Sequence, residues 1–294
     1  MITFFSIPKA FKGHISVIQQ NAIKSWMALR PRPEIILFGR DQGIEETAAE
    51  FNIMHIKDVE CNEFGTPFLH SIFKKAEIVA SNDIVCYINA DIIVMSDFIE
   101  AIKSITLKKY LMVGSRCDID IRRHIDFTAF DWEMQFKKLL KKQGTVHPPA
   151  GSDYFVFKRK TIKDMPPFII GRPCWDNWMI FEFRKIGIPV IDASKTAMVV
   201  HQNHNYKHIK DGDGACYNGI EADSNRKLLN NPDHLFTLSD VSHLLIKGKL
   251  EKVFGRIYDD RSKEHFRIFH PHLWKLKKYC SDKIDLLKKR FPKY

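Results

Sequence analysis

Nowhere in the 294 residues do about 18 uncharged apolar side chains follow one another, so no helix of ordinary bilayer-spanning length is encoded. The apolar opening, Met1 to Ile7, is broken by Pro8 and Lys9 too early to serve as a secretory signal core. It reads as a buried first strand and predicts a cytoplasmic protein. Cysteine is thin and scattered. Cys61, Cys86, Cys117, Cys174, Cys216 and Cys280 form no C-x-x-C pair and no zinc-ligand spacing, which argues against a disulfide scaffold or a structural zinc site. Glycine is sparse where a phosphate cradle would need it: the loop Pro8 to Gly13 carries a single one, too few for a nucleotidyltransferase-type phosphate loop. Internal repeats and low-complexity blocks are absent as well.

What is present is an ordinary globular composition, 45% hydrophobic and 28% charged. The length suits one large α/β domain with an extension, here placed at residues 1–245 and 246–294. The net charge of +11 is concentrated at the end, where residues 247–294 hold 15 Lys/Arg against 6 Asp/Glu. Such a basic helical extension is either a solvated face or an attractor for an anionic surface. The apolar residues spaced among lysines from Phe266 to Tyr294 suggest a basic amphipathic helix in peripheral contact with a membrane. A nucleic-acid partner is not expected, because the aromatics do not interleave with Lys/Arg as a stacking platform requires and the body is not basic.

Along the first 115 residues, short apolar runs alternate with helical patterns, which predicts a mixed, mostly parallel sheet flanked by helices. The strands are expected at 2–7, 34–38, 53–56, 84–88 and 110–114. A helix with Ile15, Ile18, Ala22, Trp26 and Leu29 on one stripe should end before Pro31 and Pro33, and a second should begin at Thr66-Pro67. The run Ile84 to Ile88 is apolar on both faces, as a central strand must be. Further strands are expected at 154–158, 189–191 and 197–200, with helices near 131–142 and 177–186. The polar, glycine-containing stretch from Asn203 to Gly219 reads as a mobile loop.

Ligands of open α/β sheets bind beyond the carboxyl ends of the strands, which directs attention to Asn89-Ala90-Asp91 at the end of the central run. An aspartate there suits a hard divalent cation, Mn2+ or Mg2+, since phosphate and water complete the coordination and few protein oxygens are needed. An aspartate at a strand end is also a common turn residue. Asp176 stands at the start of a helical pattern, where aspartate is a preferred cap; as a cap it would be a weak base, because the helix dipole favours its ionised form. Asp153, in the small-residue turn Gly151-Ser152-Asp153, is the rival carboxylate.

The segments Ser-Ile-Pro-Lys, Ile-Asn-Ala-Asp, Gly-Ser-Arg-Cys-Asp, Gly-Ser-Asp-Tyr-Phe-Val-Phe, Trp-Asp-Asn-Trp, His-Gln-Asn-His-Asn-Tyr and Gly-Ile-Glu-Ala together resemble the GT-A (Rossmann-like) glycosyltransferases over residues 1–245. In that family a D-x-D motif ends the central strand. Here it reads N-A-D, so Asn89 keeps hydrogen bonding but loses a charge. The resemblance implies a transferase of polysaccharide biosynthesis moving a sugar, with inversion, from a nucleotide diphosphate donor (a UDP-sugar favoured) to a glycan or lipid-linked acceptor. It implies Asp91 and His201 as metal ligands and Asp176 or Asp153 as the base. Ser6, Lys9, Asp41, Asn89, Arg116, Asp118, Ser152 and His204 would contact the donor, with His204 and His208 facing the diphosphate or water. The alternatives are a sugar-phosphate nucleotidyltransferase and a nucleic-acid-binding protein.

Overall fold

The computed structural model describes residues 1–204, 216–253 and 256–290. Most of the loop expected between Asn203 and Gly219, including His208, lies outside the described residues. The chain forms two units, Met1–Glu251 and Lys252–Tyr294.

In the first unit the elements run β1 (Ile2–Ser6), α1 (Gly13–Ala28), β2 (Glu34–Phe38), α2 (Ile44–Glu50), β3 (Met54–Ile56), α3 (Leu69–Val79), β4 (Ile84–Ile88), β5 (Ile92–Ile93), α4 (Ser96–Ser104), β6 (Leu111–Val113) and β7 (Arg116–Ile119). They continue with α5 (Trp132–Gln143), β8 (Thr145–Val146), β9 (Tyr154–Lys158), α6 (Trp175–Lys185), β10 (Val190–Asp192), β11 (Val199–Gln202), α7 (Ile220–Leu229), β12 (His243–Ile246) and β13 (Lys249–Lys252). Among the described residues of the second unit are the helices α8 (Arg256–Phe269) and α9 (Pro271–Arg290). Strand pairing extends through β13.

The main sheet has the order β13-β12-β10-β6-β9-β4-β1-β2-β3. All characterised pairs in it are parallel except those of β9, which runs antiparallel to both β4 and β6. The expected mostly parallel sheet is therefore present, with one reversed strand at its middle. That reversal positions the site: Ile88 pairs with Tyr154, so the end of β4 and the beginning of β9 meet at the same edge.

Side-chain alternation splits the core between the two faces of the sheet. Phe4 packs edge-on against Trp26 of α1 and Phe98 of α4, at centroid separations of 5.9 and 5.8 Å. The next residue, Phe5, points the other way and meets Phe73 of α3 and Tyr87 at 5.0 and 5.6 Å. Phe157 and Phe183 of α6 continue that second layer. Helices thus cover both faces.

A smaller sheet, β5-β11-β7-β8, stands beside the first. One of its faces is apolar: Ile93, Cys117, Ile119 and Val200 pack with Phe136 and Leu140 of α5. The alternate residues Arg116, Asp118 and His201 take the other face, and Asp118 and His201 are direct partners across β7 and β11.

Two local expectations are corrected. The helix after residue 66 starts at Leu69, because Pro67 and Phe68 are held extended in bridges to Cys61 and Ile169, and the Thr66 hydroxyl bonds Glu221 instead of capping. His201 lies within β11, not just beyond it. The other predicted strands and helices fall within a few residues of their observed bounds.

Candidate active site

Asn89-Ala90-Asp91 turns away from β4, with the Ile92 amide bonded to the Asn89 carbonyl at 3.1 Å. The chain re-enters pairing at once as β5, whose Ile92 is opposite His201 of β11. Two residues of strand are too little to hold this register, and a buried polar knot does so instead. Gln202, fully buried, donates through Nε2 to the carbonyls of Asp91 at 3.0 Å and Ile18 at 2.8 Å. Its Oε1 accepts from Asn21 Nδ2 at 3.1 Å, and Asn21 also donates to the Arg123 carbonyl. Helix α1, the Asp91 turn and β11 are locked together in this way.

The lock gathers Asp91, His201 and His204, whose ligand atoms all lie within 4.8 Å of one another. Asp91 Oδ2 is 3.1 Å from His204 Nε2 and 3.9 Å from His201 Nε2. Asp91 Oδ1 is buried with no hydrogen-bond partner. A buried, unpartnered carboxylate oxygen is costly unless something else satisfies it. A carboxylate and two imidazoles are an apt donor set for a divalent ion, and the orphaned oxygen fits such an occupant.

Burial by itself would push the Asp91 carboxyl up, but the His204 hydrogen bond and the charges of His201 and Lys9 outweigh it and hold it well below the usual range. Lys9 is brought there by α1, since Gln19 accepts its backbone amide and donates to its carbonyl at 2.7 and 2.8 Å. Burial lowers the Lys9 ammonium, with Asp91 pulling in the opposite direction. His201 moves up despite burial, because Asp118 and Asp91 face it.

A second set of ion pairs adjoins the first. Arg116 reaches Asp118 Oδ1 through Nε at 2.9 Å and Asp153 Oδ2 through Nη1 at 2.5 Å. Asn89 donates to the other Asp153 oxygen at 2.7 Å. His147, just beyond β8, places Nδ1 2.8 Å from Asp118 Oδ2. Asp118 Oδ1 is also 3.0 Å from His201 Nδ1, close but off the ring N–H axis. Asp153 is therefore held on both oxygens by protein groups.

Asp176 occupies the first turn of α6, but the cap position is Cys174, a non-glycine residue at φ 81° that makes no side-chain cap bond. Its carboxyl is raised to about 6: burial dominates and the Asp153 charge adds to it, while backbone amides of Asn177, Asp176 and Ser152 pull it down. The prospect of a base weakened by the helix terminus is thus reversed by the tertiary surroundings. The preceding loop is pinned by a mostly buried ion pair between Arg172 and Glu221, whose other oxygen accepts from Asn62 at 2.6 Å.

Of the remaining predicted residues, Ser6 is fully buried and donates to the Ile88 carbonyl at 2.6 Å, tying β1 to β4; its hydroxyl is out of reach of a ligand. Ser152 is buried with an unpartnered hydroxyl, and its amide faces Asp176. Asp41 is exposed, and its carbonyl accepts from Ile44 at the start of α2. Sequence reasoning passed over His147 and Gln202. Gln202 lies inside the quoted segment His-Gln-Asn-His-Asn-Tyr and directly follows His201, whereas His147 carries no motif signal; the roles of both come from partners over 25 residues distant.

No protein-family model and no curated protein sequence matches the chain. Among solved structures, it is similar to the mannosyltransferase PcManGT from Pyrobaculum calidifontis, in complex with GDP-Man and Mn2+, at 12% identity and TM-score 0.42, covering 70% of this chain and 58% of that one. It is also similar to GalNAc-T7 with UDP, GalNAc and Mn2+, at 14% identity and TM-score 0.46, covering 69% of this chain and 44% of that one. A third is S. aureus TarS with UDP-GlcNAc, at 12% identity and TM-score 0.31, covering 42% of this chain and 36% of that one. The chain spans less than two thirds of each. Its own architecture, a mostly parallel sheet with helices on both faces and the charged cluster beyond the ends of β1 and β4, is GT-A-like. The candidate site within this architecture is the group Asp91, His201 and His204, which could hold a metal ion.

Proposed function

We propose that the chain is a metal-dependent glycosyltransferase that moves a sugar from a nucleotide diphosphate donor, a UDP-sugar, to a hydroxyl of a glycan or lipid-linked acceptor with inversion, in polysaccharide biosynthesis on the cytoplasmic side. The observation that carries this reading is the convergence of Asp91, His201 and His204 with one carboxylate oxygen left unpartnered. A divalent ion held there supplies Lewis-acid neutralisation of diphosphate oxygens, and two imidazoles beside one carboxylate suit Mn2+ better than Mg2+.

The other roles follow from the surrounding groups. Lys9, brought near Asp91 by α1, adds positive charge for the diphosphate. Asp176, raised to about 6, takes the acceptor hydroxyl proton as that oxygen attacks the anomeric carbon; a carboxylate of that basicity is mostly ionised at neutral pH yet a better proton acceptor than an ordinary aspartate. Asp153, engaged by Arg116 and Asn89, is better suited to shaping the pocket and sustaining the basicity of Asp176 than to moving a proton itself. The basic extension, α8 and α9, contributes peripheral attraction to an anionic membrane.

The test is a thermal-shift panel of UDP- and GDP-sugars with and without Mn2+. A ligand present at 100 times its dissociation constant stabilises the folded state by about 2.7 kcal/mol. A donor-dependent rise that requires Mn2+ and is lost in Asp91→Ala is expected. Absence of any shift with every nucleotide sugar refutes the proposal, and pyrophosphate release from a nucleoside triphosphate and a sugar phosphate identifies a nucleotidyltransferase instead.

A further inference from the structure

We propose that Asp118 is not a donor contact but the positioning residue for His201, holding the imidazole by Nδ1 so that Nε2 is presented beside Asp91, with Arg116 and His147 fixing the carboxylate in turn. The inference rests on the metal reading above and assigns the residues behind it.

The geometry begins with strand register. Asp118 and His201 are partners across the parallel pair β7 and β11, and alternation puts both on the face opposite the apolar layer under α5. His201 Nδ1 lies 3.0 Å from Asp118 Oδ1, while Nε2 lies on the side of Asp91, 3.9 Å from its Oδ2. One imidazole nitrogen thus faces a carboxylate and the other faces the candidate ligand cluster. A carboxylate that takes the distal N–H of a ligating histidine fixes its tautomer, leaves a lone pair on the other nitrogen and raises its donor strength.

Asp118 is itself immobilised. Arg116 Nε is 2.9 Å from Oδ1 and His147 Nδ1 is 2.8 Å from Oδ2, so both oxygens are engaged before any sugar hydroxyl arrives. Arg116 also spans to Asp153 at 2.5 Å, which joins the His201 support to the turn that begins at Asn89. The carboxylate sits where a positioning group is needed and is already engaged where a donor contact would have to be open.

The test measures Mn2+ binding to the full chain without donor, by titration calorimetry and by the electron paramagnetic resonance signal of free Mn2+. Asp118→Asn keeps the shape but removes the charge that selects the tautomer, and Mn2+ affinity should fall about 10- to 100-fold. His147→Gln should give a smaller fall in the same direction. Unchanged Mn2+ affinity in Asp118→Asn, beside a loss in His201→Ala, overturns the proposal and leaves the metal reading standing; no Mn2+ binding by the wild type overturns both. Because Asp118→Asn can misfold, the wild-type His201 ring is also read by 15N chemical shifts above its titration range. The Nδ1–H tautomer is expected, and the Nε2–H tautomer overturns the assignment.

Discussion

Replacing Asp176 with asparagine should make the protein more stable and nearly inactive. The carboxyl is raised from its ordinary 3.8 to about 6, first by burial and then by the Asp153 charge. A rise of this size means that folding with the charged form costs about 3 kcal/mol relative to the neutral form. The sign follows from linkage: the unfolded chain releases this proton near 3.8 and the folded chain near 6, so the cost is complete above about 6, fades between the two values and is absent below 3.8. Asparagine has the same shape, and its amide oxygen can still accept a backbone amide bond. Asp176→Asn should therefore gain up to about 3 kcal/mol at pH 8, a rise in Tm of several degrees for a domain this size, and gain nothing at pH 3.5. Urea denaturation at the two pH values measures it. Sugar transfer by the wild type should decline as pH falls through 6, when the base becomes protonated, and be lost in the variant. If Asp176→Asn is instead less stable than wild type at pH 8, the carboxylate is a stabilising helix-terminal group and its role as a strained base is refuted.

The buried knot can be tested apart from chemistry. Gln202→Leu removes the side-chain bonds to the Asp91 and Ile18 carbonyls and to the Asn21 amide, while the residue 202 backbone amide stays on Asp91 and Asn21 keeps Arg123, and should cost about 1–2 kcal/mol in urea denaturation while weakening Mn2+ binding; retention of both refutes its positioning role. Deleting residues 266–294 should reduce association with anionic liposomes and leave donor hydrolysis intact, and equal binding by the truncated chain refutes membrane attraction through this extension.

The elements were legible where a local pattern sufficed. β4 has the buried-on-both-faces run of a central strand, and Asp91, in the turn that leaves it, is found at the sheet edge where such strands present ligands. The stripe of α1 was readable because Ile18, Ala22 and Trp26 repeat at helical spacing, and burial follows that spacing. The beginning of α3 was not, because Thr66, a plausible cap by sequence, is drawn off by Glu221 more than 150 residues later.

By itself the sequence determined the sheet, the helices and Asp91 at the end of the central strand, because burial on a repeating period is a property of neighbouring residues. The tertiary structure alone decided that β5, β7, β8 and β11 form a second sheet, that His147 stands behind Asp118, that Ser6 is spent inside the fold, and that Asp176 is made more basic rather than less. Those outcomes depend on charges and hydrogen bonds arriving from distant parts of the chain. A carboxylate's proton affinity is set by whatever surrounds it in space, and no spacing along the chain encodes that.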